Sequence, residues 1–261
     1  MSDYILQAKN LRKEFGSLIA VRDVSINVER GHLHSIIGPN GAGKTTLFNL
    51  LSGNLRPTSG ELWYNGKNIT RLPLHRRAHI GIGRSFQITN IFPTRTVFEN
   101  VRLAAQARNR DLKAVFTVWG RMTSLELRAF EAIDIAQLTG KERMLASALA
   151  HGDQRKLELA MIVAADPELM LLDEPTAGMA TEQVPEVIQT IDHIRQQGHR
   201  TVMLVEHNMS VVMSVSDRIT VMHHGSVLAE GTPKEISESH EVQQAYLGEL
   251  YSDLMESARD G

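Results

Sequence analysis

Gly38-Pro39-Asn40-Gly41-Ala42-Gly43-Lys44-Thr45 satisfies the whole pattern G-x-x-x-x-G-K-[ST], and the residues on either side agree with it. Leu33-His34-Ser35-Ile36-Ile37 reads as a short buried strand, and Thr46-Leu47-Phe48-Asn49-Leu50-Leu51 continues as a helix of good formers. In a strand, glycine-rich loop and helix, successive backbone N–H groups point into one concavity and the positive end of the helix dipole lies behind them. Phosphate oxygens fill such a concavity. Lys44 is placed to reach β- and γ-phosphates as a point charge, and the Thr45 hydroxyl to ligand Mg²⁺. A nucleoside-triphosphate site is therefore expected over Gly38, Pro39, Asn40, Gly41, Ala42, Gly43, Lys44, Thr45 and Thr46. A plain glycine-rich turn before an ordinary helix is the alternative, and it leaves the complete match unexplained.

The chain has 261 residues, enough for one large domain or for a domain with a smaller helical lobe. With 42% hydrophobic and 22% charged residues, its composition is that of a soluble globular protein rather than a disordered one. The formal net charge of −2 supplies no global basic field, so nucleic acid is not the expected partner. No cysteine is present, which excludes disulfides, thiolate nucleophiles and Cys-ligated zinc and fits a reducing compartment. The N-terminus has no signal-peptide pattern, and no apolar run reaches the ~18 residues of a membrane span. The expectation is a protein neither exported nor membrane-spanning by itself.

Tyr4-Ile5-Leu6-Gln7-Ala8 and Val24-Ser25-Ile26-Asn27-Val28 read as strands of an antiparallel β-subdomain, continued by Glu61-Leu62-Trp63-Tyr64 and a hairpin turn at Asn65-Gly66. Phe15, in the turn between the first strands, can stack on an adenine or simply staple the turn. Ile80-Gly81-Ile82-Gly83-Arg84-Ser85-Phe86 is a further strand candidate that delivers Gln87 to a loop. A glutamine there can ligand Mg²⁺, orient a water or be an exposed amide. From Val97 to about Ala146 the apolar spacing becomes helical, an insert whose Phe116, Trp119, Arg108, Arg110 and Arg121 form either a docking face or a solvated one. Leu149 to Gln154 precedes a helix over Arg155 to Ala165, with Gly152 and Asp153 suited to its start.

Leu169-Met170-Leu171-Leu172 is a continuous apolar run ending in Asp173-Glu174-Pro175, which is how a central parallel strand presents two acids at its C-terminal end. Adjacent side chains diverge, so Asp173 can face a metal and the phosphates while Glu174 faces an attacking water. Acids that merely cap the following helix are the bland alternative. Thr201-Val202-Met203-Leu204-Val205 is another buried strand, and Glu206-His207 ends it in the same way, making His207 a candidate γ-phosphate sensor. His32 with His34 and His223 with His224 read as ordinary strand positions, since no third metal ligand follows at a persuasive spacing. Strands near Ile219–Val221 and Val227–Leu228 close the chain, with a helix starting at Gly231-Thr232-Pro233.

Taken together, these motifs resemble the ATP-binding cassette ATPases, in the family's order and over nearly the whole chain. Phe15 matches the adenine-stacking aromatic, GPNGAGKT the phosphate loop, Gln87 the loop that senses Mg²⁺ and the membrane partner, LMLLDE the second nucleotide motif, and His207 the switch histidine. The resemblance implies an α/β fold: a P-loop NTPase core with a mostly parallel sheet, an N-terminal antiparallel β-subdomain and a helical subdomain. It implies one domain over 1–261, with the helical part inserted at about 88–165. The family's LSGGQ segment is replaced by Leu149-Ala150-His151-Gly152-Asp153, whose backbone N–H groups are expected to bind nucleotide in trans. Ala150 lacks the usual hydroxyl, Asp153 carries a charge where an amide is usual, and Ala180 replaces the aspartate that follows the DEPT segment.

LAHGDQRKLELA, DEPTAGM, VEHNM and EGTP look most like the ATPase subunits of branched-chain amino-acid importers and their relatives for urea and amides. The resemblance implies ATP and Mg²⁺ as cofactors, with Thr45, Gln87 and Asp173 as metal residues and Glu174, His207 and Gln87 as catalytic ones. It also implies a second ATPase subunit, integral-membrane permease subunits and, indirectly, an external solute-binding protein, with the chain peripheral on the inner face of the cell membrane. The alternatives are the ATPase of a lipid or lipopolysaccharide exporter, or a soluble cassette switch outside transport. The single cassette and the absence of a long coiled-coil insertion disfavour the switch.

Overall fold

The computed structural model describes residues 3–85, 91–108, 124–198 and 200–246. In chain order the strands are β1 (Tyr4–Phe15), β2 (Leu18–Glu29), β3 (Leu33–Ile37), β4 (Ser59–Tyr64), β5 (Lys67–Asn68), β6 (Ile82–Arg84), β7 (Leu169–Asp173), β8 (Thr201–Val205), β9 (Arg218–His223) and β10 (Ser226–Gly231). The helices are α1 (Lys44–Ser52), α2 (Leu74–His79), α3 (Val97–Arg108), α4 (Ser124–Ile135), α5 (His151–Ala164), α6 (Val184–Gly198), α7 (Met209–Val215) and α8 (Pro233–Glu238). Two compact units result, one of residues 1–74 with 203–261 and the other of residues 75–202.

The first unit carries the antiparallel sheet β2-β1-β4-β5. Along β2, Val24, Ile26 and Val28 are buried while the residues between them are exposed, the period of a strand with one dry face. The Asn65-Gly66 pair turns β4 into β5 with φ of 48° and 71°, as a two-residue hairpin demands. In the same unit β3 pairs in parallel with β9, and β10 lies antiparallel on β9. All five residues of β3 are buried, the polar His34 and Ser35 among them. Ile37, Ile219 and Val221 pack there with Val212 of α7 and Ile236 of α8.

In the second unit β6 pairs in parallel with β7, another strand buried throughout. Helices α3, α4 and α5 pack on one another. Val97, Val101 and Ala105 of α3, Ala129 and Ile133 of α4, and Leu157 and Ala160 of α5 are buried at their faces. Buried Asn100 ties the preceding segment to α3: its Oδ1 accepts from Phe92 N at 2.7 Å, and its Nδ2 donates to Phe92 O at 3.1 Å and Thr96 O at 2.9 Å.

The mixed α/β class expected from the sequence holds, with several local corrections. The strand expected over Ile80–Phe86 is only Ile82–Arg84 among the described residues, because Ile80 N and Gly81 N close the end of α2 on Arg77 O and Ala78 O. Helix α2 itself carries no strong apolar period, and the sequence reading missed it. Helix α5 starts at His151, four residues ahead of the expected Arg155. His224 is a turn residue and His32 lies just ahead of β3, so neither is a strand position, whereas His34 and His223 are in β3 and β9. Gln87, Phe116, Trp119, Arg110 and Arg121 lie outside the described residues, as does the Arg108 side chain.

Thr232 and Glu235 form a complete capping box on α8, with Thr232 N donating to Glu235 Oε2 at 2.7 Å and Pro233 at the first helical position. Thr232→Ala is expected to lower stability by about 1 kcal/mol, read from the urea midpoint; an unchanged midpoint would contradict this account of the helix start.

Candidate nucleotide-binding site

The loop Gly38–Gly43 runs against backbone rather than side chains. A Cβ at Gly38, where φ is 149°, would stand 2.1 Å from Met222 O, and one at Gly43, where φ is 95°, would stand 2.3 Å from Ala20 O. Any other residue at either position would push the loop off its seat. Gly225 completes the seat, donating its N–H to Ala42 O at 3.0 Å and accepting from Arg22 N at 2.7 Å. Gly43 is also the N-cap of α1 and brings no side chain to the first turn, so no side-chain acceptor competes there for a helix N–H. Lys44 is buried, and its Nζ donates to Gly38 O at 2.6 Å and Pro39 O at 2.8 Å. Thr45 is exposed beside it and Thr46 half-buried. A glycine cradle, an N-terminus without a side-chain cap and an ammonium resting on exchangeable carbonyls together fit a polyphosphate.

Phe15 stands at the end of β1 and is 47% exposed, and Lys13 Nζ lies 5.0 Å from the ring centroid. After β8, Glu206 is buried and accepts from His207 N at 3.2 Å, while the His207 side chain is exposed. Asn208 then caps α7 by accepting from Val211 N at 3.3 Å. Phe15, the loop and His207 all belong to the first unit.

The second unit holds the acid pair. The Asp173 side chain is wholly buried, and its Oδ2 lies 3.3 Å from Arg84 Nη2. Its backbone N–H donates to Ser85 Oγ at 2.9 Å, and Ser85 N donates to Leu171 O at 2.9 Å. Burial lowers the Arg84 pKa from its ordinary value, and the Asp173 charge opposes that shift. Glu174 is half-buried with φ at 48°, the left-handed region that a non-glycine residue enters at a cost of roughly 1 kcal/mol. Its carbonyl accepts from Ala177 N at 3.0 Å.

Leu149, Ala150, His151, Gly152 and Asp153 sit at the start of α5 in the same unit. Ala150 is the N-cap and provides no side-chain acceptor. Gln154 Nε2 donates to Leu149 O at 3.0 Å, and Asp153 Oδ2 lies 2.5 Å from Lys141 Nζ. A Cβ at Gly152 would meet only Met179 Cε, at an ordinary 3.8 Å. Ala180, like Ala150, offers no side-chain cap, in this case to the 3-10 turn at Thr181–Gln183.

A family model described as an ABC transporter matches residues 21–177. The chain belongs to the ABC transporter family. A second model, for the branched-chain amino acid ATP-binding cassette transporter, matches residues 226–251. The chain is 39% identical to the high-affinity branched-chain amino acid transport ATP-binding protein LivG of Salmonella typhimurium, covering 95% of this chain and all of LivG. The ADP conformation of the ATP-binding cassette MJ1267 superposes with a TM-score of 0.83 at 28% identity, covering 95% of this chain and 100% of that one. The dimeric post-hydrolysis cassette MJ0796, bound to ADP and phosphate, gives a TM-score of 0.72 at 26% identity, covering 87% and 98%. This ABC transporter chain is thus a nucleotide-binding, ATP-hydrolysing transport ATPase.

Three residues of this ABC ATPase that bear on the site escaped the sequence reading. Arg84 and Ser85 meet Asp173 because β6 pairs with β7 in a register that sets Arg84 against Leu171. Their place three and two residues ahead of Gln87 was the only signal. Lys141 meets Asp153 through a turn that no pattern announces. Among the described residues, no group of three or more His, Cys, Asp or Glu is arranged to hold a metal by itself.

Arg84→Met leaves a buried carboxylate without this countercharge and is expected to cost about 3 kcal/mol, measured by chemical denaturation. A loss below about 1 kcal/mol would show that the pair with Asp173 does not carry that charge balance.

Proposed function

We propose that this chain is the ATP-hydrolysing subunit of an importer for branched-chain amino acids or for related small solutes such as urea and amides. The observation that carries the reading is the match of residues 226–251 to the branched-chain amino-acid model, beside LivG similarity over the full length. Two such subunits, identical or paired with a close relative, sit under a membrane permease on the inner face of the membrane, and an external binding protein delivers the solute. Among the described residues no helix is long and apolar enough to cross a membrane. We assign one domain to 1–261, with a helical subdomain inserted at about 88–165.

ATP binds between the phosphate loop of one subunit and Leu149–Asp153 of the other. Gly152 supports this reading. Its own chain leaves room for a Cβ, so a glycine in the first turn of α5 meets no internal need, and a ligand approaching from outside supplies one. Phe15 stacks on the adenine. Lys44 leaves the carbonyls of Gly38 and Pro39 for the β- and γ-phosphates, exchanging neutral acceptors for charged ones. Thr45, Gln87 and Asp173 are the candidate holders of Mg²⁺, which when bound neutralises phosphate oxygens. Glu174 accepts the proton of the in-line water as it attacks, and His207 keeps that water and the γ-phosphate in register. Sandwich formation closes the pair and moves the permease; hydrolysis reopens it.

Glu174→Gln is expected to keep ATP binding, lose about 100-fold or more in turnover and accumulate a closed dimer; near-normal turnover would reject Glu174 as the base. Lys44→Ala is expected to lose nucleotide affinity as well as rate, measured by fluorescent-nucleotide titration beside phosphate release. The transport reading is tested by ATPase activity in vesicles holding the permease and its binding protein. Stimulation by leucine, isoleucine, valine, urea or short amides supports import, and stimulation by a lipid with none of these solutes active would overturn it.

A further inference from the structure

Helix α5 has one acid in its first turn, Asp153, at the end that the proposed function turns towards a γ-phosphate. A carboxylate there complements the helix dipole but repels an incoming phosphate. The other charged residues nearby on α5 are already engaged: Arg155 Nη1 lies 2.7 Å from Glu158 Oε2, and Lys156 bonds Glu186. The cation that meets Asp153 comes from outside the helix. Lys141 Nζ lies 2.5 Å from Asp153 Oδ2, and the Lys141 backbone is fixed on both sides, its N–H donating to Leu138 O and its carbonyl accepting from Met144 N, each at 3.0 Å.

The Lys141 side chain is 38% exposed and the Asp153 side chain 17% exposed. With its lysine end open to solvent, this part-buried pair contributes only modestly to stability. What it does change is the field at the helix start, since neutralising Asp153 leaves the backbone N–H groups as the dominant charge there. We propose that Lys141 is a positioning residue of the trans half-site: it holds the Asp153 carboxylate to one side and cancels its charge, so that the first turn of α5 can face a γ-phosphate. This rests on the sandwich reading above. The glutamine usual at this position needs no such partner, and the lysine makes an aspartate workable in its place.

The test is ATP-driven self-association of the full chain in the Glu174→Gln background, followed by sedimentation at several salt concentrations. Adding Lys141→Ala is expected to weaken association about three- to tenfold, most strongly at low salt, with the thermal midpoint nearly unchanged. Adding Asp153→Gln to Lys141→Ala is expected to restore association to within about twofold, and Lys141→Arg to preserve it. A silent Lys141→Ala, or a loss that Asp153→Gln does not rescue, overturns the proposal. Gly152→Glu separates the two readings. If it abolishes association while Lys141→Ala is silent, only the role of Lys141 falls. If association persists with Gly152→Glu, or Glu174→Gln does not self-associate with ATP, the sandwich between identical chains falls, and the role of Lys141 with it.

Discussion

Close approach of backbone to backbone governs the nucleotide loop. Gly38 and Gly43 lie against the carbonyls of Met222 and Ala20, with no room for even a methyl group at either place. That seat is what lets the loop end as the N-cap of α1 without a side chain over the first turn, and it places Lys44 on two carbonyls that phosphate oxygens can replace. The parallel pairing of β3 with β9 fixes the strand that feeds the loop. Chemistry and fold therefore meet in one geometric demand, and the binding energy of a polyphosphate has little backbone ordering left to offset.

Charge balance is the second constraint. A wholly buried Asp173 is tolerable only with compensation, and Arg84 provides a cation from the neighbouring strand while Ser85 accepts the Asp173 backbone N–H. Glu174 follows in a left-handed conformation that a non-glycine residue does not choose without reason. The same logic recurs at α5, where Asp153 in the first turn is met by Lys141. At both places an acid whose position the sequence made plain is balanced by a base whose position it did not.

Period and pattern made much of this molecule readable. Strand β7 announced itself as a continuous apolar run over Leu169–Leu172, β3 and β8 as short, mostly apolar stretches, and the loop after β3 as a complete motif. Asn65-Gly66 named its hairpin, and Gly231-Thr232-Pro233 named the start of α8. What stayed hidden depended on pairing between distant segments. Arg84 reaches Asp173 through the register of β6 on β7, and Lys141 reaches Asp153 through the path of a turn. The expected strand at Ile80 was cut short because the end of α2 uses those amide groups first. His34 shows the reverse case: the reading as an ordinary strand residue holds, with Nε2 2.7 Å from Thr220 Oγ1 and burial pressing its pKa down to about 3, so it stays neutral.

The account stands or falls on a composite site shared by two subunits, and the absence of cysteine from the chain makes it directly measurable. One copy carrying Asn40→Cys and another carrying His151→Cys, both in the Glu174→Gln background, are mixed and treated with a short thiol cross-linker. The account predicts a cross-linked heterodimer that forms with ATP and is lost without nucleotide. A yield that is the same with and without ATP would contradict it, and no cross-link under either condition would contradict the pairing of identical chains.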